Sequence, residues 1–284
     1  MYKKFFGLSE KPFSITPDLQ YLYLGKQHEQ GLSTLSYAVK ERLGFSLLTG
    51  EVGAGKTILS RALLSRLDSS IATALLVNPL LTIPELLKAI IKDFNCSSTA
   101  ESPQELIQAL NEFLIFLASE GRSALVIIDE AQNLTHEALE MVRMLTNLET
   151  EKQKLLQILL VGQPELLKKL KAHELRQLNQ RVTTRVHLRP LSLVEMMRYI
   201  NHRISIAGGS GKVFFDPKAY RIIFDESKGY PRLINLICDR ALMASFLQEN
   251  YIVGKDAVKS AVNDWKGKQK TPLWETIKSF VLSQ

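Results

Sequence analysis

Phe45-Ser46-Leu47-Leu48-Thr49-Gly50-Glu51-Val52-Gly53-Ala54-Gly55-Lys56-Thr57-Ile58 is the stretch from which the fold is read. Its first five residues suit a short buried strand. Gly50 to Thr57 matches Gly-x-x-x-x-Gly-Lys-Thr, and helix formers continue from Lys56 to Leu67. Strand, glycine loop and helix in that order are the context in which such a loop cradles phosphates. Glycines let backbone N–H groups turn inward onto phosphate oxygens, and the helix N-terminus adds its positive end. Lys56 has the reach for the β- and γ-phosphates, and Thr57 offers a hydroxyl to Mg2+. Gly50, Glu51, Val52, Gly53, Ala54, Gly55, Lys56, Thr57 and Ile58 are therefore expected to hold a nucleoside triphosphate, ATP, together with Mg2+.

Outward from this loop, apolar strands alternate with helices. Residues 27–43 precede it as a helix. Ala72 to Val77 reads as a strand, Ile83 to Phe94 and Pro103 to Ala118 as helices, and Ala124 to Ile128 as a fully apolar strand. Thr135 to Leu148 is helical and Leu155 to Val161 a strand; two short helices and a strand near Val186-His187-Leu188 follow. This alternation predicts an α/β fold with a parallel sheet covered on both faces. The pattern changes at Pro190. Ser192-Leu193-Val194-Glu195 is a capping box, Asp216-Pro217 starts a further helix, and Pro231 to Leu247 and Lys255 to Asp264 are two more. Four regions are expected: an aromatic arm over 1–26 packing on the core, an α/β nucleotide domain over 27–190, a helical lid over 191–265, and a tail over 266–284. In the tail, Leu273, Trp274, Ile277, Phe280 and Val281 make one apolar stripe at helical spacing.

Further polar groups fall where a triphosphate site needs them. Ile127-Ile128-Asp129-Glu130 brings two carboxylates to the end of an apolar strand, where ligands gather in open α/β sheets. Asp129 is expected to hold Mg2+ and Glu130 to polarise the attacking water. Gln163, after the next strand, is within the expected reach of the γ-phosphate or that water. Arg181 and Arg185 lie four apart on one expected helix face, from which an arginine serves a neighbouring subunit's site in trans; Arg181 is the preferred finger and Arg185 its support. Arg232 opens a helix of the second region and is expected to fold over the nucleotide.

Composition sets the class. Hydrophobic residues are 45% and charged residues 23% of 284, the proportions of a globular chain. The formal net charge of +7 favours an acidic partner, nucleic acid or an anionic membrane surface, yet no basic tail is present. Cys96 and Cys238 have no metal-ligand spacing and are expected to be reduced thiols. No segment approaches the roughly 20 apolar residues of a membrane span, and the N-terminus lacks a signal-peptide core. The expected location is cytoplasmic; the tail stripe reads as a helix packed on the lid or on another subunit, or else as an interfacial or pre-membrane segment giving peripheral attachment at the inner membrane.

These elements in this order resemble the AAA+ ATPases. Lys4-Phe5-Phe6-Gly7-Leu8 with Pro12-Phe13, Tyr23-Leu24-Gly25, Ile128-Asp129-Glu130-Ala131-Gln132-Asn133-Leu134, Val161-Gly162-Gln163-Pro164-Glu165-Leu166 and Gly229-Tyr230-Pro231-Arg232 look like the general secretion pathway protein A (ExeA-type) family. The resemblance spans roughly residues 2–265. It implies a five-stranded sheet of order 5-1-4-3-2 with a helical lid, Asp129 and Glu130 as Walker B residues, Gln163 at the sensor-1 position and Arg232 at the sensor-2 position. Glutamine departs from the Asn or Thr more usual at sensor 1. Longer members carry a transmembrane helix and a periplasmic peptidoglycan-binding domain. The implied alternatives are a short member similar to the MSHA-pilus biogenesis ATPases and the cytoplasmic part of a longer chain. The implied activity is Mg-dependent ATP hydrolysis to ADP and phosphate in a homo-oligomeric ring, a hexamer among its sizes. That activity would drive assembly of a type II secretion or type IV-like pilus machine through an inner-membrane or envelope partner. A related reading is an ATP-dependent DNA-binding regulator of transposition.

Overall fold

The computed structural model describes residues 2–77, 79–149 and 154–268. The apolar stripe Leu273–Val281 lies outside the described residues. The chain opens with α1 (Tyr2–Phe5) and continues through α2 (Lys26–Lys40), β1 (Phe45–Gly50), α3 (Lys56–Leu64), β2 (Ile71–Leu76), α4 (Ile83–Asp93) and α5 (Pro103–Ser119). Then come β3 (Ser123–Ile128), α6 (His136–Leu145), β4 (Leu156–Gly162), α7 (Pro164–Leu170), α8 (Arg176–Arg181) and β5 (Val182–Leu188). The last part holds α9 (Leu193–Ile206), β6 (Phe214–Phe215), α10 (Pro217–Ser227), α11 (Pro231–Leu247), β7 (Ile252–Val253) and α12 (Lys255–Trp265). Contacts divide these residues into two units: 26–52 with 56–189, and 2–25 with 53–55 and 190–268.

The first unit is built on a parallel sheet of order β2-β3-β4-β1-β5. This is the order 5-1-4-3-2 that the resemblance implies, read from the opposite edge. β1, β3 and β4 are buried along their whole length, which is why their sequences are near-continuous apolar runs. β5 alternates buried and open positions because it is an edge strand with one covered face. Leu86, Ile90, Leu110, Leu114, Leu139 and Val142 from α4, α5 and α6 pack with Val126, Ile128 and Ile158 in one cluster. Leu32, Leu35, Leu59 and Leu63 are buried outside that cluster, on α2 and α3, which contact β1, β4 and β5. The sheet is thus sandwiched, with the C-terminal ends of β1, β3 and β4 at one rim.

The expected shared helix face of Arg181 and Arg185 is corrected. Arg181 ends α8, and Arg185 is within β5. The β-branched run Val182-Thr183-Thr184 favours extended backbone and starts the strand earlier than the expected Val186.

The second unit is helical, with a two-stranded parallel ladder, β6 with β7; sequence reading gave only a brief extended Val213-Phe214-Phe215 and neither β7 nor the pairing. Two-residue strands carry no period to detect. The aromatic arm is buried in this unit: Tyr2, Phe6, Leu8, Phe13 and Tyr21 cluster with Met196, Tyr199, Ile200, Ile234 and Cys238. The arm thus packs within this unit, a partner that the expected packing on the core left unspecified. Arg203 gives the reason. It is 5% exposed, donates to the carbonyls of Pro12 and Ser14, and lies 4.6 Å over the Tyr21 ring. Tyr2 Oη also donates to Asp239 Oδ1. Cys238 is buried in α11 with its thiol pushed up by burial, and Cys96 is half-buried; both are free thiols. Among the described residues no helix is long and apolar enough to cross a membrane.

Candidate functional site

β1 ends at Gly50 and α3 begins at Lys56, so the loop between them leads straight into a helix N-terminus. Gly53 and Gly55 take φ of 79° and 97°, which glycine adopts without penalty. Lys56 is 6% exposed, and its ammonium donates to the carbonyls of Gly50 at 2.8 Å and Glu51 at 3.0 Å. Burial pushes Lys56 below the usual lysine range; Glu130, Asp129, Glu51 and Glu165 act in the opposite direction. A buried ammonium whose hydrogen bonds go to neutral carbonyls is suited to an anion. Val52 is exposed at the loop tip, and Ile58 is half-buried behind Thr57.

The β3 rim meets this loop. Thr57 Oγ1 donates to Asp129 Oδ2 at 2.8 Å. Asp129 is 3% exposed, and its Oδ1 accepts from the Glu130 N–H at 2.9 Å. A hydroxyl and a carboxylate in contact are the hard oxygen donors that Mg2+ takes. Among the described residues no cluster of three or more His, Cys, Asp or Glu could hold a metal ion.

Glu130 has left-handed backbone, φ 52° and ψ 35°. For glutamate this costs about 1–3 kcal/mol and persists only where surroundings impose it. They do. Gln132 Nε2 and Gln163 Nε2 both donate to Glu130 Oε2, at 2.6 Å and 3.2 Å. Gln132 Oε1 accepts from the Gln163 backbone N–H at 3.0 Å. Lys169 on α7 donates to the carbonyls of Gln132 at 2.9 Å and Leu134 at 2.7 Å, pinning the short 3-10 turn Ala131–Asn133.

Lys56, Thr57, Asp129, Glu130 and Gln163 are thus linked at one rim. The arginines are placed otherwise. Arg181 is half-buried and donates to Thr146 Oγ1 at 2.6 Å. Arg185 is exposed and donates to Asn179. Arg232 opens α11, is exposed, and within its unit donates its backbone N–H to the Gly53 carbonyl at 3.4 Å. Sequence reading gave no role to Gln132 or Lys169. Gln132 stood inside a quoted motif without a function, and Lys169 is one of several similar lysines in sequence.

The family model described as an AAA domain matches residues 39–170. General secretion pathway protein A of Aeromonas hydrophila is 42% identical over 277 residues, 97% of this chain and 50% of that protein. The chain thus spans about half the length of the curated relative it matches. Among solved structures, the Aeropyrum pernix ORC2 protein, in ADPNP and ADP complexes, is similar at TM-score 0.64 and 17% identity. That match covers 90% of this chain and 71% of that one. The Thermotoga maritima RuvB Holliday junction branch migration motor is similar at TM-score 0.55 and 18% identity, over 87% and 73%. These two likenesses concern the fold.

Proposed function

We propose, for a chain that belongs to the AAA+ ATPases of the general secretion pathway protein A type, that it hydrolyses ATP to ADP and phosphate with Mg2+. Lys56 and the loop N–H groups hold the β- and γ-phosphates. Thr57 and Asp129 would hold Mg2+, which when bound would neutralise charge on the phosphates. Glu130 accepts a proton from the attacking water. The water oxygen bonds to the γ-phosphorus, and the bond from that phosphorus to the bridging oxygen breaks toward ADP. Gln163 orients Glu130 or the γ-phosphate, and Arg232 reports the nucleotide's state. The observation that carries this reading is the contact of Thr57 with Asp129 beside the buried Lys56.

The working form in this reading is a homo-oligomeric ring in which an arginine serves the neighbouring subunit's site. For that role Arg185, which is exposed, gives up its bonds to Asn179, and Arg181 gives up its bond to Thr146. The product of the cycle is motion passed to an envelope-assembly partner at the inner membrane, in secretion or pilus assembly. The name of the Aeromonas relative and its 42% identity support the secretion side. The alternative of ATP-dependent DNA binding has the net charge of +7 in its favour.

ATP binding and turnover of two variants test the chemistry. Lys56→Ala is expected to lose ATP binding. Glu130→Gln is expected to bind ATP and lose about 10²–10⁴ in turnover, the contribution of a positioned general base. Wild-type turnover in Glu130→Gln would remove the base assignment. A salt-sensitive, ATP-dependent shift of duplex DNA would move the reading to the alternative.

A further inference from the structure

The geometry points to Gln132 as the residue that positions Glu130 for the proposed hydrolysis, so this inference rests on that reading. Gln132 follows the carboxylate by two residues on a 3-10 turn, yet its side chain spans from β3 to β4. At one end its Nε2 donates to Glu130 Oε2 at 2.6 Å. At the other its Oε1 accepts from the N–H of Gln163, the first residue after β4, at 3.0 Å. The amide cannot be turned over. Reversal would face oxygen to carboxylate and NH2 to N–H, and both contacts would be repulsive.

Gln163 has the opposite balance. Its side chain reaches the same oxygen at 3.2 Å, longer than the Gln132 bond, and no β4 group anchors its amide in return. Gly162 makes the Gln132 crossing possible: a Cβ there would stand 3.0 Å from Gln132 Oε1. Lys169 then fixes the backbone from which Gln132 projects, through the carbonyls of Gln132 and Leu134. Both amides converge on Oε2, so the reaction uses Oε1. Gln132 is accordingly a brace. It holds a base carried on strained left-handed backbone against the rim of the neighbouring strand. It touches neither nucleotide nor metal in this assignment, and it acts through Glu130.

Two substitutions separate bracing from bulk structure. Gln132→Glu keeps the side-chain shape and the acceptor for the Gln163 N–H but loses the donor to Glu130. Gln132→Ala loses both. Single-turnover ATP hydrolysis with the full chain in excess, Kd by fluorescent-nucleotide titration, and thermal melting are read for wild type, both variants, Glu130→Gln and the double variant Glu130→Gln/Gln132→Ala.

Both Gln132 variants are expected to lower the hydrolysis rate about 10–100-fold, the cost of misplacing a reacting group by around 1 Å, with ATP Kd within twofold. In the Glu130→Gln background Gln132→Ala changes the residual rate by less than twofold, since the two residues act as one unit. A rate within twofold of wild type in Gln132→Glu overturns the brace, and so do losses that multiply in the double variant. Either result beside an inactive Glu130→Gln leaves the base assignment standing. A Glu130→Gln protein as fast as wild type overturns both. If Gln132→Ala fails to fold, the isosteric Gln132→Glu decides.

Discussion

Adding one methyl group at Gly162 tests whether the β4 rim controls Glu130. Gly162 is the last residue of β4 and is buried. In Gly162→Ala the new Cβ would stand 2.8 Å from Leu166 Cδ2, 3.0 Å from Gln132 Oε1 and 3.3 Å from Leu166 Cβ. All three are tighter than ordinary contact. Leu166 is 0% exposed in the core, and its Cβ is fixed to the backbone, so it has little room to retreat. The displacement therefore falls on Gln132, by a few tenths of an ångström. Overpacking of this kind costs about 1–2 kcal/mol and lowers Tm by about 2–8 °C. A full 1 Å misplacement of a reacting group costs about 10² in rate, so the smaller shift is expected to slow hydrolysis about 3–10-fold. ATP Kd should stay within twofold, because Lys56 and Thr57 lie on other elements. Single-turnover hydrolysis, nucleotide titration and melting read all three quantities. The reasoning is refuted if Tm falls while the rate holds within twofold. It is also refuted if the methyl slows Gln132→Ala as much as it slows wild type.

Two further outcomes concern the helical unit. Burial holds the His202 imidazole below its ordinary pKa of 6.5, and its Nε2 is buried without a partner. The folded state then binds fewer protons, so the stability His202 allows is complete above about pH 6.5 and is lost as pH falls through the depressed folded value; Tm against pH should flatten over that window in His202→Gln, and an unchanged slope would refute it. Gly229 has φ of 80°, and a Cβ there would stand 2.1 Å from the Leu191 carbonyl oxygen. Gly229→Ala combines left-handed strain, a backbone clash and loss of the Leu191 N–H bond to Gly229, and is expected to cost more than about 3 kcal/mol in urea unfolding. A loss below about 1 kcal/mol would contradict it.

What the sequence revealed divides by range. The phosphate loop was legible because its glycines, Lys56 and Thr57 are contiguous and each has a local reason for its type. The central strands were legible because β1, β3 and β4, covered on both faces, are mostly apolar. The start of β5 was not, since spacing of four between Arg181 and Arg185 suits a helix while Val182-Thr183-Thr184 suits a strand, and the β-branched run prevailed. The destination of the arm was hidden for another reason. Its ties, Arg203 to Pro12 and Tyr2 to Asp239, join positions 191 and 237 residues apart. Gln132 and Lys169 acquire meaning only once β3 and β4 are known to be neighbours.

That long-range closure has a consequence for synthesis. The helical unit is discontinuous, with residues 2–25 at one end and 190–268 at the other. A ribosome adding about 5–20 residues per second delivers Tyr2, Phe6 and Phe13 many seconds before α9 and α11 exist to cover them. The α/β unit, whose strands all fall between Phe45 and Leu188, can be complete while these aromatic groups remain open to water. The nascent chain therefore carries a sticky leader throughout that interval. Chaperone crosslinking should concentrate on the first twenty residues and cease once α11 has emerged.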